Sequence, residues 1–246
     1  MIKLNRTHTP ACLSPKFVKE KTDEFKNSAK NVWNINDLKN SLLELSFNKC
    51  AYCECALKEE SKYMEVEHFQ DKDDYPDLVL NWENLLPSCK RCNGSKSTHD
   101  VLIEPIINPF NIEPINHLRL RNYRFKGKDT LGKTTIDVVN LNNTERAVLK
   151  RFEVGEELQK TIENILEKLE LYNQRQIIQR RNKLLNSMEE LLKECQPNSI
   201  YSSTCSTILH SDENYQFIRS ELVRIGLWNA NFEKLHNDSL IIVFED

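Results

Sequence analysis

Glycine is scarce in this chain, with five in 246 residues, too few for the turn-rich connections of a predominantly β protein. Long apolar runs are missing as well. The mean hydropathy is −0.59, and no stretch approaches the roughly 20 apolar residues that a membrane-spanning helix requires. The opening MIKLNRTHTPACLSPK has no apolar segment followed by small residues, so it does not read as a secretion signal, and the reducing cytoplasm is the expected compartment. A basic excess is also lacking. The formal net charge is −3, whereas a protein that binds phosphates broadly is usually basic, so any contact with nucleic acid must rest on a local patch. Residues 1–130 hold 20 Lys and Arg against 19 Asp and Glu, and 131–246 hold 14 against 18. Within 85–130 the balance is eight basic to four acidic, which makes that stretch the expected place for phosphate contacts.

Cysteine is plentiful, with eight residues. In a reducing compartment these read as metal ligands or buried thiols rather than disulfides. Cys50-Ala-Tyr-Cys53 and Cys89-Lys-Arg-Cys92 are two C-x-x-C pairs separated by 35 residues. Each pair forms a tight knuckle whose thiolates fill half a tetrahedron, the arrangement of a structural zinc site with no open coordination position. Cys55, Cys12, Cys195 and Cys205 are read as non-ligands, because C-x-C closes a poorer knuckle.

Apolar periodicity gives the remaining organisation. Ser14-Pro15 caps a helix running to about Asn31, and a second helix from Asn36 places Leu38, Leu42 and Leu45 on one face. Tyr63–Phe69 reads as a strand, and the prolines of 104–115 make an extended connection. Leu118/Leu120 alternating with Arg119/Arg121 predict a strand with a basic face, turned back by Lys126–Asp129 into a partner strand Thr134–Val139. From Leu149 to Cys195 the spacing is helical, as one helix or two with a break near Gly155 or Asn173–Gln174. Pro197 ends that pattern, and a further helix over Asp212–Leu227 and an apolar tail Leu240–Phe244 follow. The expected division is a helical lead-in 1–49, a zinc-bound core with its basic strand 50–130, and a helical region 131–246.

Between the knuckles stand Val66-Glu67-His68-Phe69 and Asn81-Trp82-Glu83-Asn84-Leu85-Leu86-Pro87, and Asn93 and Lys96 follow the second knuckle. The pattern C-x-x-C…E-H…N-L…C-x-x-C-N-x-x-K over residues 50–97 resembles the HNH endonucleases with a ββα-metal active site. By that resemblance His68 is the first H, Asn84 the N, and Asn93 takes the place of the final His. The implied fold is α+β, a zinc-stabilised ββα-metal core with an amino-terminal helical lead-in and a mostly α-helical carboxy-terminal half. CAYCE, VEHF and NWENLLPSCKRCN, with the long helical second half, narrow the likeness to the PtuB-type nucleases of Septu and retron antiphage systems. That likeness implies work beside an SMC/ABC-like ATPase of the PtuA type, and in retron systems beside a reverse transcriptase and its RNA–DNA hybrid. DNA or tRNA is the implied substrate, and the acidic helical half is suited to docking the partner.

The chemistry can be argued from the residues too. Phosphodiester hydrolysis needs a water made nucleophilic and a cation against the growing charge. His68 suits the proton transfer at neutral pH, and Asn84 can fix it by bonding to the ring or the peptide around it. Glu67 faces away from His68 on a strand, yet at a strand end the two can converge. Glu67 and Asn93 are then the expected ligands of a single Mg²⁺ or Mn²⁺, an oxygen-seeking ion. Lys96 and Arg91 are expected to meet phosphates, whereas Trp82, Leu85 and Leu86 read as the motif's small core.

Two other readings compete. A zinc-stabilised nucleic-acid-binding or adaptor module without catalysis would use the same cysteines but would have no use for His68, Asn84 and Asn93 together. Gly127-Lys-Asp-Thr-Leu-Gly132-Lys133-Thr134 matches the P-loop pattern, whose mechanism needs a helix opening at Lys133 inside repeated βα units. The β-branched run after it predicts a hairpin instead, so an NTPase is the weakest of the three.

Overall fold

A computed structural model describes residues 1–57 and 64–245. The chain divides into two compact units, Met1–Leu118 with Phe125–Asn143, and Arg119–Arg124 with Thr144–Asp246. Residues 1–49, the helical lead-in, fall in the first unit together with the zinc knuckles.

In the first unit, helix α1 (Pro15–Ser28) starts at Ser14, whose Oγ accepts from the Phe17 N–H, and stops where Ala29 turns left-handed. Helix α2 (Asn36–Leu45) buries Leu38, Leu42 and Leu43. Strands β1 (Met64–His68) and β2 (Leu85–Cys89) pair antiparallel, with Glu67 opposite Leu86 and His68 opposite Leu85. The Tyr63 end of the expected strand lies outside the described residues. Helix α3 (Lys90–Lys96) follows β2 at once, completing the ββα order.

Strands β3 (Leu118–Arg121) and β4 (Arg124–Gly127) form a second two-stranded sheet. Asn122 and Tyr123, both at positive φ, make the two-residue turn. Leu118 and Leu120 are buried while Arg119 and Arg121 are exposed, the alternation read from the sequence. Thr134–Val139 is a correction, because α4 (Thr130–Val138) replaces the expected strand. Asp129 caps that helix by accepting from the Gly132 N–H at 2.8 Å. Thr135 is fixed inside it, donating to the Leu131 carbonyl at 2.7 Å and accepting from the Ile107 N–H at 2.8 Å. Burial and capping thus override the β-branched propensity. The helix also removes the P-loop reading on new grounds, since an Asp129 carboxylate already fills the helix start where a phosphate would sit. A Cβ at Gly132 would lie 2.1 Å from the His117 carbonyl oxygen, so this glycine serves close packing.

The second unit is helical. Helix α5 (Leu149–Gln174) and α6 (Ile178–Glu194) break at Arg175–Ile177, the later of the two expected positions. Gly155 stays inside α5 because Tyr123 packs on its bare face, where a Cβ would lie 2.4 Å from the ring. Helices α7 (Ser202–Ser211), α8 (Glu213–Arg224, capped by Asp212) and α9 (Ala230–Leu240) close the unit. Leu158, Ile162, Ile165 and Leu169 of α5 meet Leu184, Met188 and Leu191 of α6 in its core. Among the described residues no helix is long and apolar enough to cross a membrane.

Candidate metal centre and catalytic cavity

The zinc ligands converge. The Sγ atoms of Cys50, Cys53, Cys89 and Cys92 all lie within 4.8 Å of one another, and Cys53 and Cys89 are 3.7 Å apart. Bonds of about 2.3 Å in a tetrahedron put sulfurs about 3.8 Å apart, so the four thiols fit a structural zinc. The Cys89 N–H donates to Cys50 Sγ at 3.4 Å and the Ala51 N–H to the Pro87 carbonyl at 2.9 Å, which ties the first knuckle to β2. Cys89 ends β2 and Cys92 lies in α3, so a metal here joins loop, strand and helix. Cys55 is not one of the four; its carbonyl accepts from the Cys50 N–H at 2.9 Å.

The same joint sets out the candidate catalytic residues. A cavity of about 450 Å³ is lined by Glu65, Glu67, His68, Asp71 and Asn93, together with Trp33, Asn34 and Lys39 from the lead-in. His68 is 7% exposed, and its Nε2 lies 3.0 Å from the Val79 carbonyl. A carbonyl only accepts, so Nε2 carries the proton and Nδ1 is the ring's basic nitrogen. Burial of the ring pulls its pKa down to about 4, against the Val79 hydrogen bond, which favours protonation.

Asn84 touches the peptides around His68 and not the ring. Its Oδ1 accepts from the Gln70 N–H at 2.7 Å, and its Nδ2 donates to the Gln70 carbonyl at 2.9 Å. Its own carbonyl accepts from the Phe69 N–H at 2.8 Å. The side chain is thus a staple across the loop that leaves β1, and the imidazole bonds to the Val79 carbonyl instead of to Asn84.

Two expectations about charged residues need correcting. Lys96 is 2% exposed. Its Nζ donates to Glu67 Oε1 at 2.9 Å and to the His68 carbonyl at 3.0 Å, so it is a buried clamp beneath β1 and not a phosphate contact. Arg91 is committed as well: it donates to the Asn140 carbonyl at 2.5 Å and to Cys92 Sγ at 3.1 Å. Burial works against its charge, but the Cys92, Cys53 and Cys89 sulfurs outweigh that and raise its pKa. A guanidinium there offsets the negative charge of a zinc tetrathiolate.

Glu67 spends one oxygen on Lys96, with the Tyr52 hydroxyl of the first knuckle 3.5 Å away. Burial pushes its carboxyl up to about 7 even though Lys96 pulls it down. The carboxylate that meets Asn93 is Glu65, whose Oε2 accepts from Asn93 Nδ2 at 2.7 Å. Sequence reasoning passed over Glu65, although period-two alternation puts it on the same strand face as Glu67. Asn93 keeps its carbonyl oxygen as a hard donor, and Glu65, Glu67 and Asn93 line the same cavity.

A zinc-built ββα unit with a buried histidine and carboxylates lining one cavity defines the class of HNH endonuclease folds, and the HNH endonuclease family model matches residues 50–99. Over the whole chain the likeness is narrower. A Septu protein PtuB of Bacillus thuringiensis is 46% identical over 237 residues, 96% of this chain and 92% of that protein. A second Septu protein PtuB, from Bacillus mycoides strain KBAB4, is 30% identical over 144 residues, 44% of this chain and 48% of that one. The chain belongs to the Septu PtuB family.

Proposed function

We propose that this chain is a metal-dependent endonuclease that hydrolyses phosphodiester bonds of DNA or tRNA, the nuclease effector of a Septu antiphage system beside a PtuA-type ATPase. The observation that carries the reading is the fixed tautomer of His68, whose Nε2–H is held by Val79 so that Nδ1 takes the proton. A depressed basicity keeps the imidazole neutral, and therefore able to accept, throughout the physiological range. Water gives its proton to Nδ1 as its oxygen attacks phosphorus, the P–O bond to the 3′ or 5′ oxygen breaks, and that oxygen takes a proton from solvent water as it departs. Glu65, Asn93 and Glu67 would hold Mg²⁺ or Mn²⁺, which supplies positive charge against the phosphorane and the leaving oxygen. Lys39 and Lys72, both at the cavity, take the phosphate role expected of Lys96.

The test is incubation of the zinc-loaded chain, alone and with the ATPase, with duplex DNA, single-stranded DNA and total tRNA in Mg²⁺ or Mn²⁺. Cleavage of at least one substrate, abolished by EDTA, is expected. Binding without cleavage under every condition would favour a zinc-built adaptor.

A further inference from the structure

We propose that Trp33, which lies ahead of the HNH motif, is a positioning residue that holds the His68 imidazole in its proton-accepting orientation; this rests on the reading of His68 as general base. The family model begins at residue 50, yet one wall of the cavity comes from Asn31, Trp33, Asn34 and Lys39. The indole of Trp33 meets the His68 ring edge to face, with centroids 4.7 Å apart and planes at 82°. Trp33 is itself braced by the buried Phe25 of α1, at 5.8 Å and 72°.

The Val79 hydrogen bond alone leaves the ring a soft torsion, because the bond joining an imidazole to its Cβ has broad wells. An aromatic wall against the ring closes that freedom. Both jaws of the clamp depend on the same helix. α1 carries Phe25 behind Trp33, and it also packs on the turn Pro76–Leu78 just before Val79, where Lys26 pairs with Asp77. The lead-in therefore acts on the base from two sides.

The experiment uses the chain in complex with its ATPase, on labelled duplex DNA and total tRNA in Mn²⁺, with rates normalised to zinc-loaded folded protein. Misplacing a catalytic group by an ångström costs up to about 100-fold, so Trp33→Ala should lower kcat about 10- to 100-fold while KM stays within about threefold. Trp33→Phe restores a ring edge and should recover kcat to within about threefold of the parent. Trp33→Leu keeps the apolar volume for folding but offers no ring, and should follow Ala. A wild-type kcat in Ala or Leu, a KM rise at constant kcat, or a Phe variant as impaired as Ala would overturn the proposal. His68→Ala separates the two levels of the argument. If it cleaves like wild type, the general-base reading falls; if it is inactive while Trp33→Ala and Trp33→Leu are not, only the role of Trp33 falls.

Discussion

Removing the Lys96 side chain as Lys96→Ala should damage folding of the first unit far more than nucleic-acid binding. The ammonium and the Glu67 carboxylate are 2.9 Å apart with side-chain exposures of 0% and 2%. Once Lys96 is gone, Glu67 keeps, among the described residues, the Tyr52 hydroxyl at 3.5 Å, and the His68 carbonyl loses the Lys96 ammonium. Breaking a buried pair by deleting one partner typically costs about 3–5 kcal/mol. Protonation offers an escape, because the carboxyl already sits near 7, which puts the expected loss at the lower end, about 3 kcal/mol. Zinc-loaded protein unfolded in urea and followed by the fluorescence of Trp33 and Trp82 measures it. The double variant Glu67→Gln/Lys96→Met, which leaves no buried charge, should recover most of the loss. An unchanged urea midpoint in Lys96→Ala, combined with weaker DNA binding of shallower salt dependence, would return Lys96 to the phosphates.

Cys89→Ser should lose zinc and with it the cooperative unfolding of the first unit, because closing the site supplies folding free energy; a folded zinc-free variant with a native melting profile would count against a structural metal. His210 tests the second unit. Its pKa is lowered to about 4 by burial, then by His236 and Arg219. Below the ordinary value of about 6.5 the unfolded chain therefore binds a proton that the folded chain refuses. The melting temperature of the helical unit should fall as pH drops from about 6.5 toward 4 and stay level above, and His210→Gln, which retains a donor for Ser239, should flatten that slope. A profile that does not decline over that range in the parent protein would contradict it.

What the sequence disclosed follows from how local each signal is. A C-x-x-C knuckle places both ligands within four residues, so the zinc site is legible without knowing the fold. Glu67 and Lys96 are far apart in sequence and meet only when α3 packs beneath β1, so the sequence displays two solvated-looking charges. Arg91 escaped for the same reason, since its partner is the Asn140 carbonyl. Thr134-Thr135-Ile136 has strand propensity, and the deciding contact, Thr135 with the Ile107 N–H, is again long-range. Helix α7, SSTCSTILHS, has little helical propensity; it forms with Ser202, Ser203, Thr204 and Ser206 buried, Ser206 donating to the Cys195 carbonyl at 2.7 Å. Glu65 is legible by strand alternation, on the same face of β1 as Glu67.

In the proposed reaction His68 moves a proton beside a metal held by Asn93, Glu65 and Glu67. Single-turnover cleavage across a Mn²⁺ titration, with zinc content measured in parallel, tests it most directly. His68→Ala should lose about 10²–10⁴-fold at every Mn²⁺ concentration with zinc content unchanged, because no ion replaces the imidazole. Asn93→Ala should instead recover part of its rate as Mn²⁺ is raised, the behaviour of a weakened ligand set. Wild-type rates in His68→Ala on every substrate would contradict the account.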